Sequence, residues 1–263
     1  MNLQDKTIWL TGASSGIGEA LAYELAAQGA RLILTARRQD ELERVRSQCA
    51  NPEQHCVIAL DLADASVLEV AAQAVIENHG PIDILVNNAG IGQRATVLET
   101  DLSVQRRIME INYFSLVTLT RACLPHLLTR PESMVVAISS VIGKVATPRR
   151  SAYAASKHAV IGFMDAMRAE LHGTSLHCLT VCPGYIRTPF SYAALRGDGR
   201  PQAILDDGQK NGMAPERCAR GIVAAMHKNK AEAFVGGKET LGIYIKNWCP
   251  PLYRWMITKV KIT

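Results

Sequence analysis

The stretch SAYAASKHAV (151–160) sets Tyr153 four residues ahead of Lys157 among small and apolar neighbours. Residues i and i+4 share one face of a helix, so a helix here would aim a phenol and an ammonium at the same point. A free tyrosine has a pKa of about 10, and only about 0.1% is ionised at neutral pH. A nearby cation favours the phenolate. A shift of about three units, worth roughly 4 kcal/mol, would bring the group near working pH as a general acid/base. Alone, the pair reads more simply as an exposed tyrosine beside a surface lysine. Ser139 and Ser140 in AISSVIG change that weighing, because they close an apolar run. A serine there can hydrogen-bond an oxygen as its negative charge changes. The alanines between and around the pair would let such a helix lie close to a bound cofactor.

A second set of residues suits phosphate chemistry. TGASSGIG (11–18) follows an apolar run and opens a helical pattern. Its Gly12, Gly16 and Gly18 have the spacing G-x3-G-x-G, not G-x-G-x-x-G. Gly12 permits a tight turn, Gly16 a close backbone approach to a pyrophosphate, and Gly18 close helix–strand packing. The opening helix offers free N–H groups and a positive dipole end to phosphate. The plain alternative is a surface loop. The second apolar run ends LTARR. Where NAD binders place an acidic side chain for the ribose 2′-OH, this chain has Ala36, then Arg37 and Arg38. Two guanidiniums suit a 2′-phosphate, so NADP is expected. The alternative is surface arginine at a helix start, which the helix dipole opposes. Asp61 in LDLAD reads either as a partner for an adenine amino group or as a helix cap. Asn88, Ala89 and Gly90 end the next run in NNAG, where small residues admit a ribose and asparagines pin a strand end.

These groups need a frame. Apolar runs at 7–11, 31–36, 55–60, 82–87, 133–139, 175–182 and 232–236 alternate with segments of period near 3.6. That rhythm predicts an α/β fold, a parallel sheet with helices on both faces. Ligands then bind beyond the carboxyl ends of the strands, where the glycine loop, the NNAG run and the serines all fall. Residues 101–129 read as one long helical stretch. Residues 184–214 are rich in glycine, proline and polar residues, and read as a lid or loop. The expected organisation is a dinucleotide-binding Rossmann domain over 1–240, with a lid at about 185–214 and a tail at 241–263.

Composition removes several classes. The chain has 263 residues, 48% hydrophobic and 20% charged, with a net charge of +5 spread without basic tracts. Nucleic-acid binding is not expected. Seven cysteines without CxxC spacing or clustered histidines point away from a disulfide framework or a metal site. The N-terminus carries no signal pattern and no apolar run nears the 18 or so residues of a membrane span. A cytoplasmic protein is expected.

Together TGASSGIG, NNAG, Asn112 in EINYF, SS before YAASK, and PGYIRT resemble the short-chain dehydrogenase/reductases, in family order over residues 7 to about 236. The resemblance implies a single doubly wound domain with a seven-stranded parallel sheet in the order 3-2-1-4-5-6-7, and a set of roles. Tyr153 would be the acid/base. Lys157 would lower its pKa and hold the nicotinamide ribose. Ser140 would orient the carbonyl, and Asn112 would support a water that relays protons to Lys157. Ser14, Ser15, Gly16, Ile17 and Arg37 would bind phosphates, and Asp61, Leu62 and Asn88 to Gly90 would line the adenosine. Pro183, Gly184, Ile186 and Thr188 would hold the nicotinamide amide. GKVATPRRSAYAASKHA narrows the likeness to the branch of SDR family member 7 and the 11β-hydroxysteroid dehydrogenases. That branch acts on steroids, retinoids and other bulky carbonyls, commonly at membranes. With Arg37 and Arg38 and the long lid, the expectation is NADP(H)-dependent hydride transfer to or from a sizeable apolar carbonyl or alcohol. Pairing through 101–129 and 151–172 into a homodimer or homotetramer is also implied. A 3-oxoacyl thioester reductase is one alternative, and an NADP-binding regulatory protein is another. The tail combines Tyr244, Trp248, Tyr253 and Trp255 with Lys246, Arg254, Lys259 and Lys261. It could lie on a membrane surface, cover the lid or join an oligomer interface, and Pro250–Pro251 breaks any long helix there.

Overall fold

A computed structural model describes residues 1–260; Lys261 of the tail lies outside them. The elements run in order β1 (Thr7–Thr11), α1 (Gly16–Ala27), β2 (Arg31–Ala36), α2 (Gln39–Gln48), β3 (Cys56–Ala59), α3 (Ala65–His79), β4 (Ile84–Asn87), α4 (Leu102–Met109), α5 (Ser115–Leu127), β5 (Ser133–Ile138), α6 (Ser151–Glu170), β6 (Leu176–Pro183), α7 (Asp207–Lys210), α8 (Pro215–His227), β7 (Glu232–Val235), α9 (Leu241–Trp248) and α10 (Pro250–Ile257). The seven strands form one parallel sheet in the order β3-β2-β1-β4-β5-β6-β7. That is the expected doubly wound order.

The apolar runs become strands because both sheet faces are covered. Alternate side chains of a strand point to opposite faces. Ile8 and Leu10 of β1, with Met134, Val136 and Ile138 of β5, join a core against α1 and α8. Trp9, Val135 and Ala137 join the other core, against α3, α5 and α6. Trp9 is fully buried, and its indole N–H donates to Thr35 Oγ1 on β2 at 2.8 Å. Each such side chain contributes about 1.5–3 kcal/mol by leaving water. The strand ends are therefore held by a rigid sheet, and the chemistry-bearing residues are carried on them.

The 101–129 stretch departs from a single helix. Between α4 and α5, residues Glu110–Phe114 form one π-helical turn. A π turn admits one extra residue and so re-aims the side chains on either side of it, often at a functional site. Here it turns Asn112 inward. The 184–214 segment is folded: isolated bridges pair Gln93 with Leu195, Ile186 with Met213 and Leu195 with Pro201. In the tail, the Pro250–Pro251 pair separates α9 from α10 as expected. Ile243, Tyr253 and Ile257 pack on Val141, Val145 and Phe234. Lys246 Nζ donates to the Lys144 carbonyl at 2.5 Å and Tyr253 Oη to that of Ala146 at 3.0 Å. Of the placements open to the tail, its inner face covers one end of the cleft described next. Among the described residues no helix is long and apolar enough to cross a membrane.

Candidate active site

One cleft of about 1080 Å³ runs across the carboxyl edge of the sheet. At one end are Ala36, Arg37, Arg38, Asp61 and Leu62. The middle is walled by Gly12, Ser14 to Gly18 and Asn88 to Gly90. The far end holds Ser140, Tyr153, Lys157, Pro183, Gly184, Ile186 and Thr188, under Tyr253, Met256 and Val260 of the tail. Of the residues expected to carry function, Asn112 alone is not on this wall.

The glycine loop owes its path to two residues. Gly12 and Gly16 have φ of +66° and +63°, a region that costs any residue with a Cβ. A Cβ on Gly18 would collide with the Gly12 carbonyl oxygen and come within 2.6 Å of Asn88 Nδ2. Asn88 ties this loop to β4: its Nδ2 donates to the Thr11 and Gly12 carbonyls at 3.0 and 3.1 Å. The backbone N–H groups of Asn88 and Ala89 both donate to Thr11 Oγ1, at 3.0 and 3.2 Å. The start of α1 has no side-chain cap and lies on the cleft wall, which fits a pyrophosphate. Arg37 and Arg38 are exposed beside it, with Arg38 Nη2 donating to Ser14 Oγ at 3.4 Å. Asp61 bonds the N–H of Ala63 at 3.0 Å in a local turn, while Asp64 is the cap of α3. Its carboxylate remains on the cleft wall.

At the other end, α6 starts at Ser151 and carries Tyr153 and Lys157 on one face, both nearly buried. The Lys157 ammonium lies 6.0 Å from the Tyr153 ring centroid and donates to the Ile138 carbonyl at 2.7 Å. Ser140 closes β5, and its hydroxyl accepts from Ile142 N–H at 3.2 Å. Ser139 is structural, donating to the Lys157 carbonyl at 3.0 Å. Asn112 reaches the site indirectly. Its Oδ1 accepts from Ile91 N–H at 2.8 Å, and its Nδ2 donates to the Ile91 carbonyl at 3.0 Å and Ser156 Oγ at 2.9 Å. Its side-chain amide thus ties the loop after β4 to α6, and Oδ1 keeps a second lone pair.

The low-titrating phenol is expected with both a nearby cation and a positively charged nicotinamide beside it. In the protein alone, burial pushes Tyr153 above its ordinary value, opposed by the Ser140 hydroxyl and then by Arg150 and Arg94. Burial also pulls Lys157 down to about 8. Loss of water outweighs the lysine in this pocket. The alanines of α6 also serve a different purpose. Ala152 packs with Val104, Ile108 and Leu195, and Ala154 with Ile142. They bring α6 close to α4 and the turn after β5; the cleft wall itself takes only Tyr153 and Lys157 from this helix.

The family model described as short chain dehydrogenase matches residues 6–197. The chain belongs to that family. Relatives of this short-chain dehydrogenase include the Anopheles gambiae dehydrogenase/reductase SDR family protein 7-like, 41% identical over 98% of this chain and 84% of that one. The Danio rerio dehydrogenase/reductase SDR family member 7B is 40% identical over 96% and 84%. Among solved structures, a short-chain dehydrogenase from Streptomyces avermitilis superposes with TM-score 0.82 at 30% identity, covering 97% of this chain and 98% of that one. One from Burkholderia phymatum in complex with NAD gives 0.84 at 20%, and one from Burkholderia cenocepacia in complex with NADP gives 0.79 at 23%; both cover at least 96% of each chain.

The short-chain dehydrogenase motifs leave several site residues unnoticed. Arg94, Arg150, Tyr185, Phe190 and Glu239 also line the cleft. Glu239 Oε1 accepts from the N–H groups of Tyr185 at 2.8 Å and Gly237 at 2.9 Å, so a turn after β7 shapes the PGYIRT segment. The Phe190 ring stands 5.6 Å from that of Tyr153. Arg150 directly precedes SAY, which could have drawn attention to it. Nothing in the sequence pairs Glu239 with Tyr185.

Proposed function

We propose that this short-chain dehydrogenase is an NADP(H)-dependent oxidoreductase acting on the carbonyl or secondary alcohol of a bulky, largely apolar substrate. The observation that carries the reading is the meeting, in one cleft, of a glycine-rich helix start and a Ser140–Tyr153–Lys157 group. When bound, the nicotinamide would supply or accept the hydride. Ser14 to Gly18 would take the pyrophosphate with backbone N–H groups. Arg37 and Arg38 suit a 2′-phosphate, and no acidic side chain stands at Ala36 to favour a free 2′-OH. Ser140 would hydrogen-bond the substrate oxygen, and Tyr153 would pass the proton to or from it. A cationic nicotinamide would oppose the burial that now holds the phenol protonated. Lys157, buried and bonded to the Ile138 carbonyl, would hold the ribose beside it. The apolar roof of Tyr253, Met256 and Val260 favours a sizeable hydrophobic substrate over a small acid.

The test is a panel of ketones, aldehydes, steroids and acyl thioesters, followed by nicotinamide absorbance with NADPH and with NADH. The expected result is turnover of a bulky carbonyl with higher kcat/KM for NADPH. Equal or better use of NADH contradicts the cofactor assignment, and preference for acyl thioesters contradicts the substrate class.

A further inference from the structure

Tyr153 stands beside a buried group of charges that the scheme above does not use. Arg94, on the segment after β4, and Arg150, just before α6, both bond one oxygen of Asp206, in the 184–214 segment. Arg94 donates through Nε at 2.7 Å and also through Nη2, and Arg150 through Nη2 at 3.0 Å. The three side chains are each 5% exposed or less. The other Asp206 oxygen accepts from Gln202 Nε2 at 3.1 Å. Two guanidiniums against one carboxylate leave one net positive charge, in surroundings that screen it poorly. Stability does not account for such a group, because replacing buried ion pairs by apolar packing is often neutral or stabilising.

The same network ends on the backbone of Tyr153, and Arg94 and Arg150 line the cleft together with its ring. Arg94 Nη1 donates to the Gln93 carbonyl at 2.6 Å, and Gln93 Oε1 accepts from the N–H groups of Ala152 at 2.8 Å and Tyr153 at 3.4 Å. On the other side, Asp206 N–H donates to Ser191 Oγ at 3.0 Å, and Ser191 N–H to Gln209 Oε1 at 2.9 Å. Arg150 Nε is buried with no partner among the described residues, and its guanidinium carbon lies 5.9 Å from the Tyr185 ring centroid.

We propose that Arg94 and Arg150 are positioning residues that electrostatically favour the ionised phenol of Tyr153, and that Asp206 of the 184–214 segment restrains them. The inference rests on Tyr153 being the acid/base. The groups around Tyr153 come from every element packed on it. Its own helix contributes Lys157, the residue before that helix Arg150, the loop after β4 Arg94, the turn after β5 Ser140, β6 Cys182 and the 184–214 segment Asp206. Of the neighbouring α4 and π turn, Arg106 and Arg107 are exposed and Glu110 is half-buried. Lys144, on the turn after β5, is taken by Glu232 at 2.7 Å. Burial raises the phenol, Arg150 and Arg94 act against that rise, and Cys182, itself pushed up to about 12 by burial, adds slightly to it. The cluster thus makes the 184–214 segment part of the acid/base apparatus and not only a cover.

The signs separate this role from a structural one. Removing a guanidinium leaves the phenolate less favoured and moves its midpoint up. Removing the Asp206 charge frees both guanidiniums and moves the midpoint down. The experiment titrates R94Q, R150Q, R150K, D206N and the unaltered protein by two readouts. One is the ultraviolet phenolate band of Tyr153, taken as the difference from the same protein carrying Y153F. The other is the pH midpoint of kcat/KM with NADPH and the best carbonyl of the panel. R94Q and R150Q should shift the midpoint to alkaline pH by about one unit, D206N to acid pH by a similar amount, and R150K should stay near the unaltered value. Shifts all in one direction, or none, overturn the proposal. Should D206N fail to fold, R150K decides: a lysine that does no better than glutamine overturns it. Turnover surviving in Y153F would instead refute the acid/base reading beneath it.

Discussion

The two ends of the cleft are built in opposite ways. The cofactor end is made of backbone: two positive-φ glycines, the N–H groups of the first turn of α1, and a loop pinned by Asn88 and Thr11. All of it sits on strand ends locked between two apolar cores. The substrate end is made of side chains delivered from remote segments. Asp206 meets Arg94 across 112 residues of chain, and Tyr253 reaches Ala146 across 107. A rigid backbone site suits a ligand whose shape never changes. A site assembled from a lid and a tail can be re-cut for another substrate without disturbing the sheet. The difference predicts that damage to the backbone loop of the first end is all-or-none, and that damage to side chains at either end is graded and selective.

Gly18→Ala should do the most harm. Its methyl group would enter the space of the Gly12 carbonyl oxygen, and backbone held by Asn88 has little room to yield. NADPH binding measured by calorimetry should be lost, while circular dichroism stays that of a folded α/β protein. Binding within a few-fold of the unaltered protein would show that this end is softer than described. Arg37→Ala with Arg38→Ala should act next. A charge-assisted bond to phosphate contributes about 1.5–3 kcal/mol, so losing one should raise KM for NADPH roughly 10- to 100-fold and losing both should raise it further, with KM for NADH little changed. A parallel rise for both cofactors would place the arginines elsewhere than at the 2′-phosphate. Tyr253→Ala should have the smallest and most selective effect. Opening the roof should raise KM for the bulkiest carbonyls several-fold and leave small carbonyls and NADPH untouched. A uniform loss would mean that the tail supports the whole fold.

The same contrast explains what could be read from sequence. Strands β1 and β2 fall on their apolar runs residue for residue, and the other five lie within one to two residues of theirs, because burial on both faces leaves an unbroken apolar signature. The glycine loop was legible because its chemistry is local in the chain. The π turn at Glu110–Phe114 was not, since it preserves the helical periodicity on either side. One-turn spacing reveals the lysine beside the phenol but not how much water the fold removes from both. Arg94, Asp206 and Glu239 carried no local pattern at all; their partners are chosen by the tertiary fold. The 184–214 segment lacked periodicity for the same reason, being fixed by isolated bridges and by Asp206.

The central claim is that the proton moves at Tyr153. The direct measurement is turnover and NADPH affinity of Tyr153→Phe, taken side by side with the unaltered protein on the best carbonyl of the panel. The phenyl ring keeps the packing against Phe190 and removes only the hydroxyl. Turnover should fall by roughly 10²- to 10⁴-fold with NADPH affinity unchanged within about a factor of two. Turnover that survives the loss of this hydroxyl would contradict the account.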